Sequence, residues 1–373
     1  MPVEDLPAEL LHVVVKFAYG GTDGRALACC ALVCRNWRAA ARPLVFERIK
    51  ISSEDHLTSL EDLVENDSDV GPFVRTLTVR PTAEINPVPS PWLGKLAKKL
   101  PARLVRLHAL EFICIFELGD AFEPGFLHEL AGFATVGHLT VDKCGMHLAL
   151  VYALAATLPS MRHFHVGEIL PVPLVSPAAP SQLYPPRLTG LGLDVGDVYP
   201  HGMRDVASWV LGTPSRHTLR SLALVARLNN TQEVGRVLSE LGPQLAELDL
   251  RLDIAFPPPL EAEIIRTDIS LRPCTALRTL TLRHHSPLSP AVLELVAGVR
   301  SPVRCITVGV FALPDERSLP TFALLAQTIG DALAGPLQKI RVLFTGPIGQ
   351  RAVLAKLQQD LAHVADDLNV ERV

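Results

Sequence analysis

The chain has 373 residues, 48% apolar and 20% charged, with a formal net charge of -4. That composition excludes a disordered tail and, lacking any basic excess, gives no expectation of a nucleic-acid partner. Seven cysteines with no Cys-x-x-Cys pair and no zinc-ligand spacing exclude a disulfide framework and point to reduced thiols in the cytoplasm or nucleus.

The first ordered segment opens Leu6-Pro7-Ala8-Glu9-Leu10-Leu11. Leu10, Val13, Val14 and Phe17 fall at i, i+3, i+4 and i+7, one face of a helix, and Leu27, Cys30, Ala31 and Cys34 repeat the spacing. Pro7 suits a first helical turn, Gly20-Gly21 breaks the helix, and Thr22 or Asp23 can cap the next. Glu4, Asp5 and Glu9 stand where a signal peptide needs a basic start and an apolar run, so no leader is expected. A unit of about forty residues buries little surface by itself, so helices this rich in large apolar side chains are expected to pack on something else.

Leu6-Pro7-x-Glu9-Leu10-Leu11, followed by Leu27-x-x-Cys30-x-Leu32-Val33-Cys34-Arg35-x-Trp37, resembles the F-box, the helical motif that docks proteins onto the Skp-type adaptor of cullin-RING ubiquitin ligases. The resemblance covers about the first forty-five residues and implies a domain over 1–45. It implies adaptor contacts through Leu6, Pro7, Leu10, Leu32, Val33, Cys34 and Trp37.

From Phe46 onward one template recurs: apolar, two residues, apolar, one residue, apolar. It reads Phe46-Ile49-Ile51, Val74-Leu77-Val79, Leu107-Leu110-Phe112, Val136-Leu139-Val141, Met161-Phe164-Val166 and Leu188-Leu191-Leu193. It continues as Leu219-Leu222-Leu224, Leu245-Leu248-Leu250, Leu277-Leu280-Leu282, Val303-Ile306-Val308 and Leu337-Ile340-Val342, eleven copies whose central residues lie 25 to 34 apart. The template is a strand with alternate residues inward, and a helix-like segment follows it. Start signals stand where such helices need them: Ser52-Ser53 before Glu54-Asp55, Ser90-Pro91 before Trp92, Ser289-Pro290 before Leu293. Apolar spacing continues in Val234, Val237, Leu238 and Leu241, and in Leu357, Leu361 and Val364. Such units bury a continuous core only when neighbours stack. The pattern resembles an irregular leucine-rich-repeat solenoid over 46–373, with Cys144 the nearest instance of that family's Asn or Cys ladder. The expected fold class is therefore α/β, a small N-terminal helical F-box followed by about eleven strand-helix repeats. A doubly wound domain is the alternative, and it has no Gly-rich phosphate turn after the first strand to support it.

Between Lys143 and Arg162 lies the longest uncharged run that could suggest a membrane span. Its helical part is about twelve residues, short of the ~20 that span a membrane, and it reads as a buried helix. Pro171 to Pro186 is proline-dense and reads as a rigid crossover; a docking peptide or a modified Ser176-Pro177 is the functional alternative. Pro257-Pro258-Pro259 is punctuation of the same kind. The sequons at Asn66 and Asn229 read as a loop and a helix cap, with Glu233 completing a capping box from Asn230.

The sequence carries no Gly-x-Ser-x-Gly, Walker loop, His-Glu-x-x-His or kinase signature, so neither catalysis nor a cofactor is expected. His284-His285 reads as a solvated strand end, and Cys29, Cys30 and Cys34 as small packing groups. On a solenoid's concave strand face, His138 and His163 should lie roughly 5 Å apart with His165 beside them. Asp142 is the one carboxylate near enough in sequence to join them around a metal, and no metal is expected. Glu247, Asp249 and Arg251 should face Thr279, Thr281 and Arg283, with Lys339 and Arg341 beyond. These ladders, His138, His163, His165, Glu247, Asp249, Arg251, Arg283 and Arg341, are the expected target-binding residues. The expected function is a substrate receptor that joins the adaptor, and through it a cullin, to a target protein, with no membrane partner. A non-catalytic interaction scaffold without a ligase role is the alternative.

Overall fold

A computed structural model describes residues 7–19, 24–81, 92–115, 125–170, 186–195, 202–254, 258–284, 290–310, 324, 327–329, 337–344, 359 and 365–372. Leu6, the Gly20-Gly21 break with Thr22 and Asp23, Ser90-Pro91, Ser176-Pro177 with most of the proline-dense stretch, His285, Ser289, Leu357, Leu361 and Val364 lie outside these residues.

Three helices open the chain: α1 (Ala8–Tyr19), α2 (Gly24–Val33) and α3 (Arg35–Val45). The Pro7 carbonyl accepts the Leu11 amide at 3.0 Å, so Pro7 stands at the mouth of α1, where its missing N–H costs nothing. Cys34, in extended backbone, separates α2 from α3 and serves as the N-cap of α3 without a side-chain bond. The module buries Val15, Leu27 and Ala41, with Cys30, Ala31, Trp37 and Leu44 packed around them. Cys29, expected to pack, is exposed. Arg42 of α3 forms an ion pair with Asp67, at the end of the first crossover helix, α4 (Glu54–Asn66), which ties the module to the first strand-helix copy.

The protein is α/β, with parallel strands joined by crossovers, most of them helical, and its chain forms two compact units, Met1–Pro186 and Arg187–Val373. In the first, β1 (Arg48–Ile51), β2 (Thr76–Val79), β3 (Ala109–Ile113), β4 (His138–Asp142) and β6 (His163–Val166) lie side by side in chain order, while β5 (Cys144–Gly145) pairs with β7 (Ile169–Leu170). In the second, β8 (Gly190–Leu193), β9 (Ser221–Ala226), β10 (Glu247–Leu252), β11 (Thr279–His284), β12 (Cys305–Val310), β13 (Leu337–Phe344) and β14 (Ala365–Arg372) do the same. Every pairing is parallel, and within each unit the order never reverses. A doubly wound sheet needs such a reversal. Right-handed crossovers that always step in one direction place their helices on a single face.

All eleven sequence copies lie on strands, and their central residues are register partners: Ile49, Leu77, Leu110, Leu139 and Phe164 in one unit, Leu191, Leu222, Leu248, Leu280, Ile306 and Ile340 in the other. All are buried except Ile49, which is half-buried. A twelfth strand, β14, continues the row with Leu368 opposite Ile340.

A second row holds the copies together through the main chain. The carbonyl just after the first template residue accepts two amides from the next copy: Arg75 from His108 and Ala109, His108 from Gly137 and His138, Arg278 from Arg304 and Cys305. Glu47, Gly137, Thr189, Arg220, Ala246 and Arg304 do the same, all at 2.7–3.1 Å. This satisfies backbone groups that a strand's first residues would otherwise leave open.

Ser53 caps α4 by accepting the His56 amide, as its sequence context requires. The helix Leu148–Thr157, in the long uncharged run, buries Leu148, Leu150, Val151, Leu154 and most of its remaining residues. Among the described residues no helix is long and apolar enough to cross a membrane. Two expectations fail. Asn230 does not cap the helix Thr231–Leu241 with its side chain; its Oδ1 accepts the Arg227 amide at 2.7 Å and its Nδ2 donates to the Val225 carbonyl at 3.2 Å. Glu233, the supposed capping-box partner, accepts from Arg236 instead. A side chain buried at a strand end satisfies the nearest open backbone groups first. Pro258, expected as loop punctuation, opens the helix Pro258–Asp268, the position where proline is best tolerated.

Candidate protein-interaction surfaces

The helical module hides one stripe of α1 and leaves another open. Leu11 and Val15, one turn apart, are buried, whereas Leu10, Val13, Val14 and Phe17 are exposed, Phe17 by 82%. At the end of α2, Leu32 is 85% and Val33 60% exposed. The stripe that periodicity picks out is thus the outer one, and a thinner stripe of α1 serves the module's own core. Six large apolar side chains held open on two short helices are far more than the scattered exposed residues of an ordinary surface. Burying each completely is worth about 1.5–3 kcal/mol. Of the residues that the F-box resemblance marks, Pro7, Leu10, Leu32 and Val33 are exposed, while Cys34 and Trp37 are half-buried and Trp37 packs on the Val15–Leu27–Ala41 core.

On the strands of the first unit, His138 and His163 are register partners. Their rings stack with centroids 4.2 Å apart and planes 3° from parallel. His108, just before β3, joins them edge-on at 4.4 Å from His138. Gly137 leaves room for that ring, since a Cβ there would stand 3.3 Å from His108 Cε1. His108 was missed in the sequence because it precedes the strand by one residue, although it occupies the second template position. Burial, then the neighbouring His163 and His108, pull the His138 imidazole down to about 4. His165 stands two residues along β6, opposite Thr140. Asp142 is not among these rings: its carboxylate accepts the Glu168 amide at 3.2 Å and lies where a Gly167 side chain would be. Parallel stacked rings aim their nitrogen lone pairs side by side, not at one point. Among the described residues no three His, Cys, Asp or Glu side chains converge as metal ligands.

In the second unit Glu247, Asp249 and Arg251 face Thr279, Thr281 and Arg283 in register, and Lys339 and Arg341 lie beyond β12, opposite Cys305 and Thr307. The charges answer one another. Arg283 donates to Asp249 at 2.7 Å, Arg251 approaches Asp253 at 3.4 Å, Arg227 bridges Asp194 and Asp253, and Lys339 meets Asp367 at 3.0 Å. Burial raises the Asp249 carboxyl, and Arg283 opposes that shift. Such a face can recognise a partner by hydrogen bonds in register, but its cations are already engaged.

His284 overturns the expectation of a solvated strand end. It contacts Glu261 at 2.5 Å, the two side chains 3% and 2% exposed, and so clamps the end of β11 to the first turn of the preceding crossover helix, Pro258–Asp268. A pair so closed to solvent has no route to a substrate.

Compared against protein-family models and against curated proteins, the chain matches none of them.

Proposed function

We propose that the chain is a substrate receptor of a cullin-RING ubiquitin ligase, joined to a Skp-type adaptor by its N-terminal helices and to a target protein by the strand-helix array. The observation that carries this reading is the outward apolar stripe of Leu10, Val13, Val14 and Phe17, with Leu32 and Val33, on a module whose own core is already closed. An interface of this kind draws its affinity from a few buried apolar anchors. The F-box resemblance names an adaptor as the occupant, and Leu10, Leu32 and Val33 lie both in its motif and among the exposed residues. The array is read as an irregular leucine-rich-repeat solenoid, supported by the register of the apolar rows and by Cys144. Cys144 stands three residues past the Val141 position and donates to the Phe112 and Asp142 carbonyls at 3.4 and 3.3 Å, the role a ladder residue fills. The receptor does no chemistry itself and raises the effective concentration of the target beside the transferring enzyme.

The test is a pull-down with a Skp-type adaptor. The variant of choice is Phe17→Asp with Leu32→Asp, because both side chains point outward, whereas removing Trp37 would open the module's core. Capture of the wild type and loss of the folded variant is expected. A folded wild type that fails to bind leaves the scaffold reading in its place.

A further inference from the structure

The second unit concentrates arginines on one edge. Each crossover helix there ends toward the side where the next strand begins, and the connecting segments carry Arg216, Arg220, Arg272, Arg278, Arg300 and Arg304, all exposed. None of the six has a carboxylate within ion-pair distance among the described residues. Five arginines of the strand face and the helices, Arg227, Arg251, Arg283, Arg236 and Arg266, do have one. Among the described residues the exposed carboxylate at this edge is Glu247, at the start of β10; Asp268 is engaged by the Thr231 hydroxyl.

Helix ends account for part of this. The negative end of a helix dipole favours a cation within its last turn, which suits Arg216 on the short helix Ser215–Thr218, whereas Arg272 and Arg300 lie four and three residues past the helices Pro258–Asp268 and Pro290–Ala297. It does not reach Arg220, Arg278 and Arg304, which lie farther along, at the residue immediately before each strand. Their backbones form the main-chain row described above, so adjacent strands, about 4.8 Å apart, fix their spacing. Arg220 turns its guanidinium onto the Leu219 and His217 carbonyls at 2.9 and 3.5 Å. Arg278 and Arg304, on neighbouring copies, remain open to solvent.

We propose that this edge binds an acidic, extended segment of a partner protein, its carboxylates received by Arg278 and Arg304 with Arg272 and Arg300 flanking. The inference deepens the receptor reading by naming the chemistry of the target, and rests on its target-binding half alone. Guanidinium groups match carboxylates in a two-bond fork. A nucleic acid fits less well: the chain's net charge is -4, and the segments 211–220, 268–279 and 297–305 hold no Phe, Tyr or Trp on which a base could stack.

The experiment is fluorescence anisotropy of a fluorescein-labelled peptide of alternating glutamate and serine, titrated with the full chain at low salt. The variant is Arg278→Glu with Arg304→Glu, and Arg266→Glu on a crossover helix is the control. Wild type and control should bind alike, and the double variant about tenfold or more weakly, with circular dichroism unchanged. Should charge reversal unfold the chain, Arg278→Ala with Arg304→Ala gives the same ordering with a smaller loss. No binding by folded wild type, equal binding by the double variant, or tighter binding of a single-stranded oligonucleotide each overturns the proposal. The same variants in the adaptor pull-down should bind as wild type does, so failure of docking and failure of this edge are told apart.

Discussion

Gly235 faces the main-chain carbonyl of Asp268 so closely that a Cβ placed on it would stand 1.8 Å from that oxygen. The helix Thr231–Leu241 thus lies against the end of the next crossover helix, and the Thr231 hydroxyl meets the Asp268 carboxylate at the same joint. Alanine at 235 would gain about 1 kcal/mol of helix propensity but forces backbone from backbone, at a cost of about 1–3 kcal/mol or more. The urea midpoint of Gly235→Ala should therefore fall, and that of Gly235→Val should fall further; a rise for alanine would mean the helices are not in contact there.

Acid should loosen the histidine stack. His138 titrates at about 4 in the folded chain, below the ordinary 6.5, so unfolding takes up a proton between these values. The stability tied to this group is complete above pH 6.5 and is lost as pH falls toward about 4. Melting temperatures measured across that window should decline, and His138→Gln should make the decline shallower. Identical slopes in the two proteins would show that the stack does not contribute.

The two stripes of α1 should respond oppositely. Phe17→Ser changes an open side chain and should shift stability by no more than about 0.5 kcal/mol, while abolishing adaptor capture. Val15→Ala empties a closed core and should cost on the order of 1–3 kcal/mol with capture retained wherever the chain is folded. Thermal denaturation beside the pull-down separates the two.

Removing one partner of the His284–Glu261 clamp strands the other in an apolar interior. His284→Ala or Glu261→Ala should each cost about 3–5 kcal/mol, and the double variant distinctly less than their sum. An additive denaturant cycle would indicate that the pair is not coupled.

Thiol chemistry should follow burial. Cys29 is exposed, whereas Cys144 and Cys274 are buried and desolvation pushes their thiols up to about 12 and about 11. Iodoacetamide labelling read by mass spectrometry should modify Cys29 first and these two only on unfolding.

Much of the array was legible because its strands repeat one apolar spacing, and Leu77, Leu139 or Leu280 could be placed on a strand from that alone. β14 escaped because its first template residue is Ala365, too small to register as apolar punctuation, although Leu368 and Val370 keep the row. Asn230 and His284 were misread for a shared reason. Each is polar, each lies near a strand end, and each is drawn inward by a partner that apolar spacing does not show: the Arg227 amide and Val225 carbonyl of the strand end for Asn230, and the Glu261 carboxylate 23 residues earlier for His284. The stripe of α1 was found, but periodicity does not say whether a stripe faces its own core or a stranger's. The open arginines were passed over because each is ordinary by itself; only the register of β11 with β12 brings Arg278 beside Arg304.

The carbonyl row has a final consequence. Within each unit, a copy in this row asks of its neighbour one main-chain oxygen and one apolar contact row, and offers the same to the next. The joint is indifferent to which side chains sit in the intervening crossover or how many residues it takes. A whole copy can then be removed or duplicated without altering the chemistry at the seam, whereas a cut within a copy leaves two amides with no acceptor. Length in this part of the chain is counted in copies, not in residues.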